Sequence, residues 1–128
     1  MIWSGSLNLS RQPMADPRAW IVESPLVLAS ESGKRIEVPV GFVTDGASVP
    51  RAFWWYASPF SGRHAAAALV HDYCYQSACV TKEEADDIFE EAMLSCGVRK
   101  GKAKAMAASV RMFGKRAWNN HRRVNGDT

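Results

Sequence analysis

The chain has 128 residues, of which 47% are hydrophobic, and its formal net charge at pH 7 is +3. This length corresponds to one ordinary domain, and the hydrophobic content is sufficient for a buried core. No apolar run approaches the roughly 20 residues of a membrane-spanning helix, so we expect no transmembrane segment. Residues 1–5 lack the charged-then-apolar pattern of a secretion signal, and we expect synthesis and folding in the cytoplasm.

Positive charge is concentrated near the C-terminus. Residues 97–128 contain nine Lys or Arg and one acidic residue, whereas the rest of the chain is acidic overall. A basic face attracts nucleic acid, anionic lipid or an acidic partner, and a solvated helix face is the alternative interpretation. The segment carries no recognised nucleic-acid-reading motif, so a nucleic-acid binder is the least favoured functional hypothesis.

The three cysteines are odd in number and include no Cys-x-x-Cys pair. We predict reduced thiols, with Cys74 and Cys96 in buried positions. A zinc site built from these cysteines is the alternative.

Residues 1–56 are predicted to form strands and turns. Segments 25–29 and 35–40 are rich in β-forming residues, and the second alternates as a half-buried strand does. The polar segment 30–34 between them contains a glycine, so we predict a β-hairpin. Pro39 indicates an edge or strand-end position because it has no amide proton to donate.

Residues 41–51 are predicted to form a loop. Asp45-Gly46 is a strong turn signal, and Pro50 disfavours a helix at the residue before it. We expect the aromatic cluster at 53–56 to lie in the core, and an exposed belt for a membrane or a partner is the alternative.

From residue 61 the chain has a helical pattern, with helices predicted at 62–77, 82–95 and 99–113. The first is apolar all round at its start, so it should be central and buried. Thr81 and Glu84 form a capping-box pattern that sets the start of the second. We therefore predict one α+β domain, 1–128, in which a small antiparallel sheet precedes three helices, the first two an antiparallel pair.

The third predicted helix has three inward-facing residues, namely Met106, Val110 and Phe113. Gly114 is its predicted stop. The helical part therefore covers residues 61–114. Residues 115–128 are predicted to be a basic tail that is irregular, and mobile, from Trp118 onward.

The adjacent pair His71-Asp72 is the candidate site. Their side chains point about 100° apart on a helix, so Asp72 can hold a cation while His71 handles a water molecule. On the next helix, Asp86 lies on a flank of the apolar stripe and Asp87 nearly opposite the core. Asp86 is thus placed to accept a hydrogen bond from the imidazole nitrogen that faces away from the water molecule, and in this way to orient the base. The loop at 41–48 is predicted to supply carbonyl ligands.

Structural roles are the alternatives at each position. His71-Asp72 at the end of an apolar segment can simply bond backbone and neighbouring loops. Asp45 is either a further cation ligand or a turn aspartate. His64 lies seven residues before His71, on roughly the same helix face, and is a possible second ligand for a transition metal.

Several pieces of the chain match a known pattern, namely Val38-Pro39-Val40-Gly41-Phe42-Val43-Thr44-Asp45-Gly46-Ala47-Ser48-Val49-Pro50-Arg51, residues 66–75, Glu84-Ala85-Asp86 with Phe89 and Met93, and residues 110–114. With these pieces the chain resembles a phage and prophage family that lacks an established function. The resemblance covers about residues 35–118. It implies a phage origin, with synthesis in the host bacterial cytoplasm and either virion association or a role in the infected cell.

A local resemblance concerns His71-Asp72-x-Cys74-Tyr75, which is similar to the active-site helix of secreted phospholipase A2 enzymes. It implies that His71 activates water and that Asp72 binds Ca²⁺ with carbonyls from the Gly41–Gly46 region. It further implies that Asp86 orients His71 and that Tyr75 bonds Asp86. The catalytic set is then His71, Asp86 and Tyr75, and the metal set is Asp72, Asp45, Gly41 and Gly46.

The chain departs from the phospholipase pattern in its cysteines. Ala67 and Ala68 replace a cysteine pair, and Ala85 replaces the partner that Cys74 has in those enzymes. The loop at 41–48 is not rich in cysteine and glycine as the phospholipase calcium loop is. The resemblance is therefore one of site and not of ancestry.

We favour a metal-assisted hydrolase acting on phospholipid or another envelope component. The alternative is a non-enzymatic phage virion, assembly or host-interaction protein in which His71, Asp72 and Asp86 form a structural polar network. Calcium is the favoured metal and zinc the alternative.

Overall fold

The computed structural model describes residues 2–5, 9–11, 20–31, 33–44 and 65–124. Within these ranges six short strands precede four helices, so the fold is α+β as predicted. The strands are β1 (Ile2–Ser4), β2 (Leu9–Arg11), β3 (Trp20–Val22), β4 (Leu26–Ala29), β5 (Arg35–Val38) and β6 (Val43–Thr44). The helices are α1 (Ala65–Ser77), α2 (Lys82–Ser95), α3 (Lys100–Phe113) and α4 (Lys115–Val124).

The strands form two antiparallel sheets, in the orders β1-β4-β5 and β2-β3-β6. The predicted hairpin is confirmed as β4–β5, with Leu28 opposite Ile36. Its turn contains Gly33 at φ +91°, a conformation that favours glycine, and the Gly33 amide donates to the Ser30 carbonyl at 3.1 Å. Pro39 follows the last residue of β5, in agreement with the predicted strand-end position.

Strand β6 lies inside the segment that was predicted to be a loop, so that part of the prediction was wrong. Its two residues pair with β3, with Val43 opposite Ile21 and Thr44 opposite Trp20. A two-residue strand is too short to show an alternating pattern, and its pairing depends on a partner that is distant in sequence. Residues 45–51 and the aromatic cluster at 53–56 lie outside the described residues.

A cluster of buried apolar side chains connects the hairpin to the helices. The inward face of the hairpin consists of Leu26, Leu28, Ile36 and Val38. The helices contribute, among others, Leu69, Val70, Ile88, Phe89, Met93, Met106 and Val110. Helix α1 contacts α2, α4, β5 and β6, so it is central as predicted.

Helix α2 begins and ends where the sequence predicted. The Thr81 side chain accepts from the Glu84 amide, and the Glu84 side chain accepts from the Thr81 amide, which is a complete capping box. Gly97, at φ +88°, follows the helix end. Lys34 pairs with Glu84 at 3.3 Å, which ties the hairpin turn to the start of α2.

Helix α3 confirms Met106 and Val110 as core residues, but the prediction for Phe113 was wrong. Phe113 is 66% exposed, because it is the last residue of α3 and the chain turns at Gly114 into a further helix. Neither α3 nor any other helix of the described ranges has the length and apolarity needed to cross a bilayer.

Helix α4 occupies the segment predicted to be an irregular tail, and that prediction was also wrong. The Trp118 ring packs edge-on against the Tyr75 ring, with centroids 5.2 Å apart. The Arg122 guanidinium lies over Trp118 and donates to the carbonyls of Tyr75 and Gln76 at 2.8 and 2.7 Å. These anchors all lie on α1, about 45 residues earlier in the chain, which is why a local pattern does not reveal them.

Candidate active site

His71 and Asp72 lie in α1 and point to different elements. His71 faces α2 and Asp72 faces β6, as the turn of about 100° between successive helical residues requires. Both residues are buried, with 1% and 0% exposure. They belong to two adjoining hydrogen-bond groups. We call them the Asp86 group (His71, Tyr75, Lys82 and Asp86) and the Asp72 group (Thr44, Asp72 and Gln76).

The Asp86 group joins α1 to α2. His71 Nε2 lies 2.9 Å from Asp86 Oδ1, and the Tyr75 hydroxyl donates to the same oxygen at 2.7 Å. Lys82 Nζ donates to Asp86 Oδ2 at 2.7 Å. His71 and Tyr75 are one helical turn apart, as are Lys82 and Asp86, so each helix presents two groups to the other. The structure therefore brings together the three predicted catalytic residues.

The protonation states of the Asp86 group follow from these contacts. Burial alone raises the pKa of Asp86, but hydrogen bonds from His71, Lys82 and Tyr75 outweigh it and hold that pKa below its ordinary value. Burial lowers the pKa of His71, and this effect exceeds the opposing influence of Asp86. Burial, followed by the bond to Asp86, raises the pKa of Tyr75. Near neutral pH, Asp86 is therefore an anion beside a neutral imidazole and a neutral phenol.

The ionised Asp86 carboxylate determines the tautomer of His71. A carboxylate only accepts hydrogen bonds, so the imidazole proton that faces it is on Nε2. The basic lone pair is then on Nδ1, on the opposite side of the ring. The ring also contacts the rings of Tyr75 and Phe89, with centroids 4.3 and 4.5 Å away, and these contacts restrict its orientation. The His71 ring is thus held in one orientation and one tautomer.

The Asp72 group fastens β6 to α1. Thr44 Oγ1 donates a short hydrogen bond to Asp72 Oδ2, and Gln76 Nε2 donates to the same oxygen at 3.0 Å. Gln76 also reaches the Val43 carbonyl at 3.3 Å. Asp72 therefore positions the end of β6, immediately before the predicted ligand Asp45.

The predicted calcium site is only partly within the described residues. Asp45 and Gly46, like the alternative ligand His64, lie outside them. Gly41 is exposed in the turn before β6, and its amide donates to the Val22 carbonyl at 2.8 Å.

Within the described ranges, no group of three or more His, Cys, Asp or Glu side chains could hold a metal ion. Ca²⁺ takes about six to eight oxygen ligands, and Asp72 is the one predicted acidic ligand that these ranges contain. The described residues do not by themselves form a complete calcium site.

The end of α3 holds the Asp86 group in place. Lys82 Nζ reaches the carbonyls of Val110 and Arg111 at 3.3 and 3.4 Å, where a cation also meets the negative end of the α3 dipole. Gly114 approaches Tyr75 so closely that a Cβ would overlap the Tyr75 hydroxyl and the Val110 carbonyl. Lys82 and Gly114 therefore set the positions of Asp86 and Tyr75.

A cleft of about 530 Å³ opens on the outer side of the Asp86 group. Residues of α2, α3 and α4 line it, including Lys82, Arg111 and Trp118, whereas His71 is not among the lining residues. This cleft therefore reaches the Asp86 group through Lys82 and not through the imidazole.

Part of the C-terminal positive charge is used inside the fold. Arg111 pairs with Asp87 at 2.9 Å and with Glu90 at 3.5 Å. Arg122 donates to backbone carbonyls of α1. These two arginines therefore stabilise helix contacts, and they do not form a uniform basic surface.

The sequence did not indicate a site role for Lys82, Thr44, Gln76 or Gly114. The spacing of four residues between Lys82 and Asp86 is a local signal that could have indicated their ion pair. Thr44 and Gly114 carry no such signal, because each meets its partner across at least 28 residues of sequence.

Of the cysteines, Cys74 is buried as predicted, whereas Cys96 is only partly buried.

The α+β fold and the buried His71–Asp86 contact define a domain with a candidate base site between two helices. The chain belongs to the DUF1353 family of proteins of unknown function, whose model matches residues 20–110. Two curated relatives are from Sinorhizobium fredii (strain NBRC 101917 / NGR234).

The uncharacterized protein y4jT is 34% identical over 102 residues, which is 78% of this chain and 30% of that protein. The uncharacterized protein y4iH is 35% identical over 74 residues, which is 57% of this chain and 31% of that protein. The chain therefore spans less than a third of the length of each relative. No solved structure matches it.

Proposed function

We propose that this protein is a hydrolase in which His71 activates water for attack on an ester bond of a phospholipid or another envelope component. The observation that carries the proposal is the 2.9 Å contact between His71 Nε2 and Asp86 Oδ1. This contact defines the tautomer of the imidazole, and burial keeps the ring neutral, which together are what a general base near neutral pH requires.

In this reaction, Nδ1 of His71 takes a proton from water as the water oxygen attacks the ester carbonyl. Asp86 stabilises the imidazolium that forms. The imidazolium then returns the proton to the leaving alkoxide, and the ester carbon–oxygen bond breaks. A positioned general base contributes about 10²–10⁴-fold to a rate. Asp86, Tyr75 and Lys82 are positioning residues, since they act on His71 or on each other.

Calcium is part of this proposal. Asp72 supports it, because a buried carboxylate adjoins the base and fastens the strand that leads to Asp45. When bound, the cation would supply a Lewis acid that polarises the ester carbonyl. Calorimetry with Ca²⁺ tests this part: we expect binding by the wild type and none by folded Asp72→Asn. Equal binding by both proteins would remove Asp72 from the ligand set.

The catalytic part is tested with phospholipid vesicles and short-chain esters as substrates. We expect His71→Ala to lower the rate by about 10²–10⁴-fold. The matched control is His121→Ala, a histidine replaced on α4, which should retain the wild-type rate. Circular dichroism establishes that both variants are folded. A folded His71→Ala protein with the wild-type rate, or a wild type that hydrolyses none of the esters, would contradict the proposal.

Burial favours a second candidate, a non-enzymatic phage protein in which both groups serve as a structural network. The His71 and Asp86 side chains are 0% and 1% exposed. Lys82 lines the nearby cleft, whereas His71 does not. The sequence resemblance supports a phage origin, with synthesis in the host bacterial cytoplasm and later contact with other phage proteins. Mass spectrometry of purified phage particles tests the virion form of this candidate, and absence of the protein would contradict it.

A further inference from the structure

Two of the three cysteines face each other where α1 leads into α2. Cys74 and Cys79 have their Sγ atoms 3.9 Å apart. Cys74 lies on α1 and is 1% exposed, whereas Cys79 lies after the helix end and is exposed. Ala78 between them has φ +52°, so the chain turns sharply after α1, and the Cys79 amide then donates to Ser77 Oγ at 3.4 Å. The turn thus holds an exposed thiol over a buried one.

The two thiols differ in character. Cys74 is buried on α1, and its thiol forms a hydrogen bond with Cys79. The same hydrogen bond lowers the pKa of Cys79 to about 6. An exposed cysteine with a lowered pKa is a thiolate at neutral pH, and the thiolate is the form that reacts.

We propose that Cys79 is an oxidation site for hydroperoxides and that Cys74 closes the oxidised thiol into a disulfide. In the first step, the Cys79 sulfur attacks a peroxide oxygen, the O–O bond breaks, and the leaving hydroxide or alkoxide takes a proton from water. Cys79 becomes a sulfenic acid, and the peroxide is the oxidant. In the second step, Cys74 sulfur attacks Cys79 sulfur, the S–O bond breaks, and the Cys74 proton leaves with the oxygen as water.

The geometry fits the second step. A disulfide has a sulfur–sulfur distance of about 2.05 Å, so the two atoms must approach by roughly 2 Å. Cys79 lies in the connection between α1 and α2, and Cys74 lies on α1. Cys96 is placed differently, because it lies at the far end of α2. This inference is independent of the proposed hydrolysis, since it uses neither His71 nor Asp86.

The test treats the reduced 128-residue chain with about one equivalent of hydrogen peroxide, after which unreacted thiols are alkylated. We expect the wild type to lose two hydrogen atoms in mass and to retain one alkylatable thiol, Cys96. Peptide mapping should place the disulfide between Cys74 and Cys79, and dithiothreitol should reverse it. Cys96→Ser, the matched control, should form the same disulfide.

Two variants separate the steps. Cys79→Ser should form no intramolecular disulfide, whereas Cys74→Ala should stop at a sulfenic acid on Cys79 that a dimedone reagent traps. Mapping of the wild type gives a result even where Cys74→Ala does not fold. A disulfide that includes Cys96, three intact thiols after treatment, or sulfinic acid on Cys79 with Cys74 still reduced would each overturn the proposal.

Discussion

The Tyr75 hydroxyl lies against the backbone of Gly114, in the space that any side chain at residue 114 would need. The Tyr75 hydroxyl also donates to Asp86, so the α3–α4 corner and the candidate base site share one tyrosine. Gly114 has an ordinary helical conformation, φ −79°, and the requirement for glycine is therefore one of space and not of backbone freedom.

We expect Gly114→Ala to destabilise the protein by about 1–3 kcal/mol, because overpacking forces the Tyr75 ring or the α3–α4 corner to move. Urea denaturation measures this change. The control is Gly101→Ala, since Gly101 lies within α3 with nothing near its Cβ position. That change should be neutral or stabilise by up to about 1 kcal/mol, because alanine favours the helix. Equal effects of the two substitutions would contradict the close contact at Gly114.

Asp86 and Asp87 are a natural matched pair on α2. The Asp86 side chain is 1% exposed and accepts from three side chains, whereas the Asp87 side chain is 72% exposed and pairs with Arg111 at the surface. Asp86→Asn leaves Lys82 without its buried counter-charge, so we expect a loss of about 3–5 kcal/mol in the free energy of unfolding. Asp87→Asn should cost less than about 1 kcal/mol. Denaturant titration of both variants measures the difference. Similar losses would contradict a stabilising role for the buried hydrogen bonds of the Asp86 group.

Stability should fall as the pH drops below the ordinary pKa of histidine, 6.5. Burial lowers the pKa of folded His71, so the unfolded chain binds a proton that the folded chain does not. The contribution of His71 to the free energy of unfolding is therefore complete above pH 6.5. It decreases below that pH by at most about 1.4 kcal/mol per pH unit. Asp86, whose pKa is also lowered, loses its contribution in the same direction near its ordinary value of 3.8.

Denaturation curves for the wild type and His71→Asn between about pH 7.5 and 5 test this assignment. We expect the wild type to lose stability across this interval and the variant to lose less. The carboxylates titrate mainly below this interval, so the difference between the two slopes reports on His71. Parallel slopes would show that the imidazole is not the titrating group. In the hydrolase proposal, the acidic limb of the rate profile should likewise lie below pH 6.5.

The packing of α4 is tested with Trp118→Ala. This change removes the ring contact with Tyr75 and the surface beneath Arg122, so we expect a loss of about 2 kcal/mol. Met112→Ala is the control. Met112, like Trp118, lines the cleft between α2, α3 and α4, but it is 72% exposed, so its replacement should change stability little. Thermal unfolding followed by circular dichroism compares them. If Trp118→Ala unfolds at the wild-type temperature, α4 does not contribute to the stability of the core.

The sequence alone determined the features that depend on neighbouring residues. Thr81 and Glu84 interact within one helical turn, so the start of α2 follows from their identities. The hairpin follows from two β-forming segments around a polar turn, and the burial of Asp86 relative to Asp87 follows from the helical period. His71, Tyr75 and Asp86 were also indicated together, through one periodic pattern and one resemblance.

Only the tertiary structure decided which remote groups these residues meet. Thr44 reaches Asp72 because β6 pairs with β3, and β6, with two residues, is too short to carry a pattern of its own. Helix α4 forms where the sequence predicted an irregular tail. The sequence did not reveal it because α4 is held by contacts with α1, such as the bond from Arg122 to the Tyr75 carbonyl. Phe113 is exposed because the chain turns at Gly114. Packing and hydrogen bonding between segments far apart in the chain decide such contacts, and no local pattern of residues contains them.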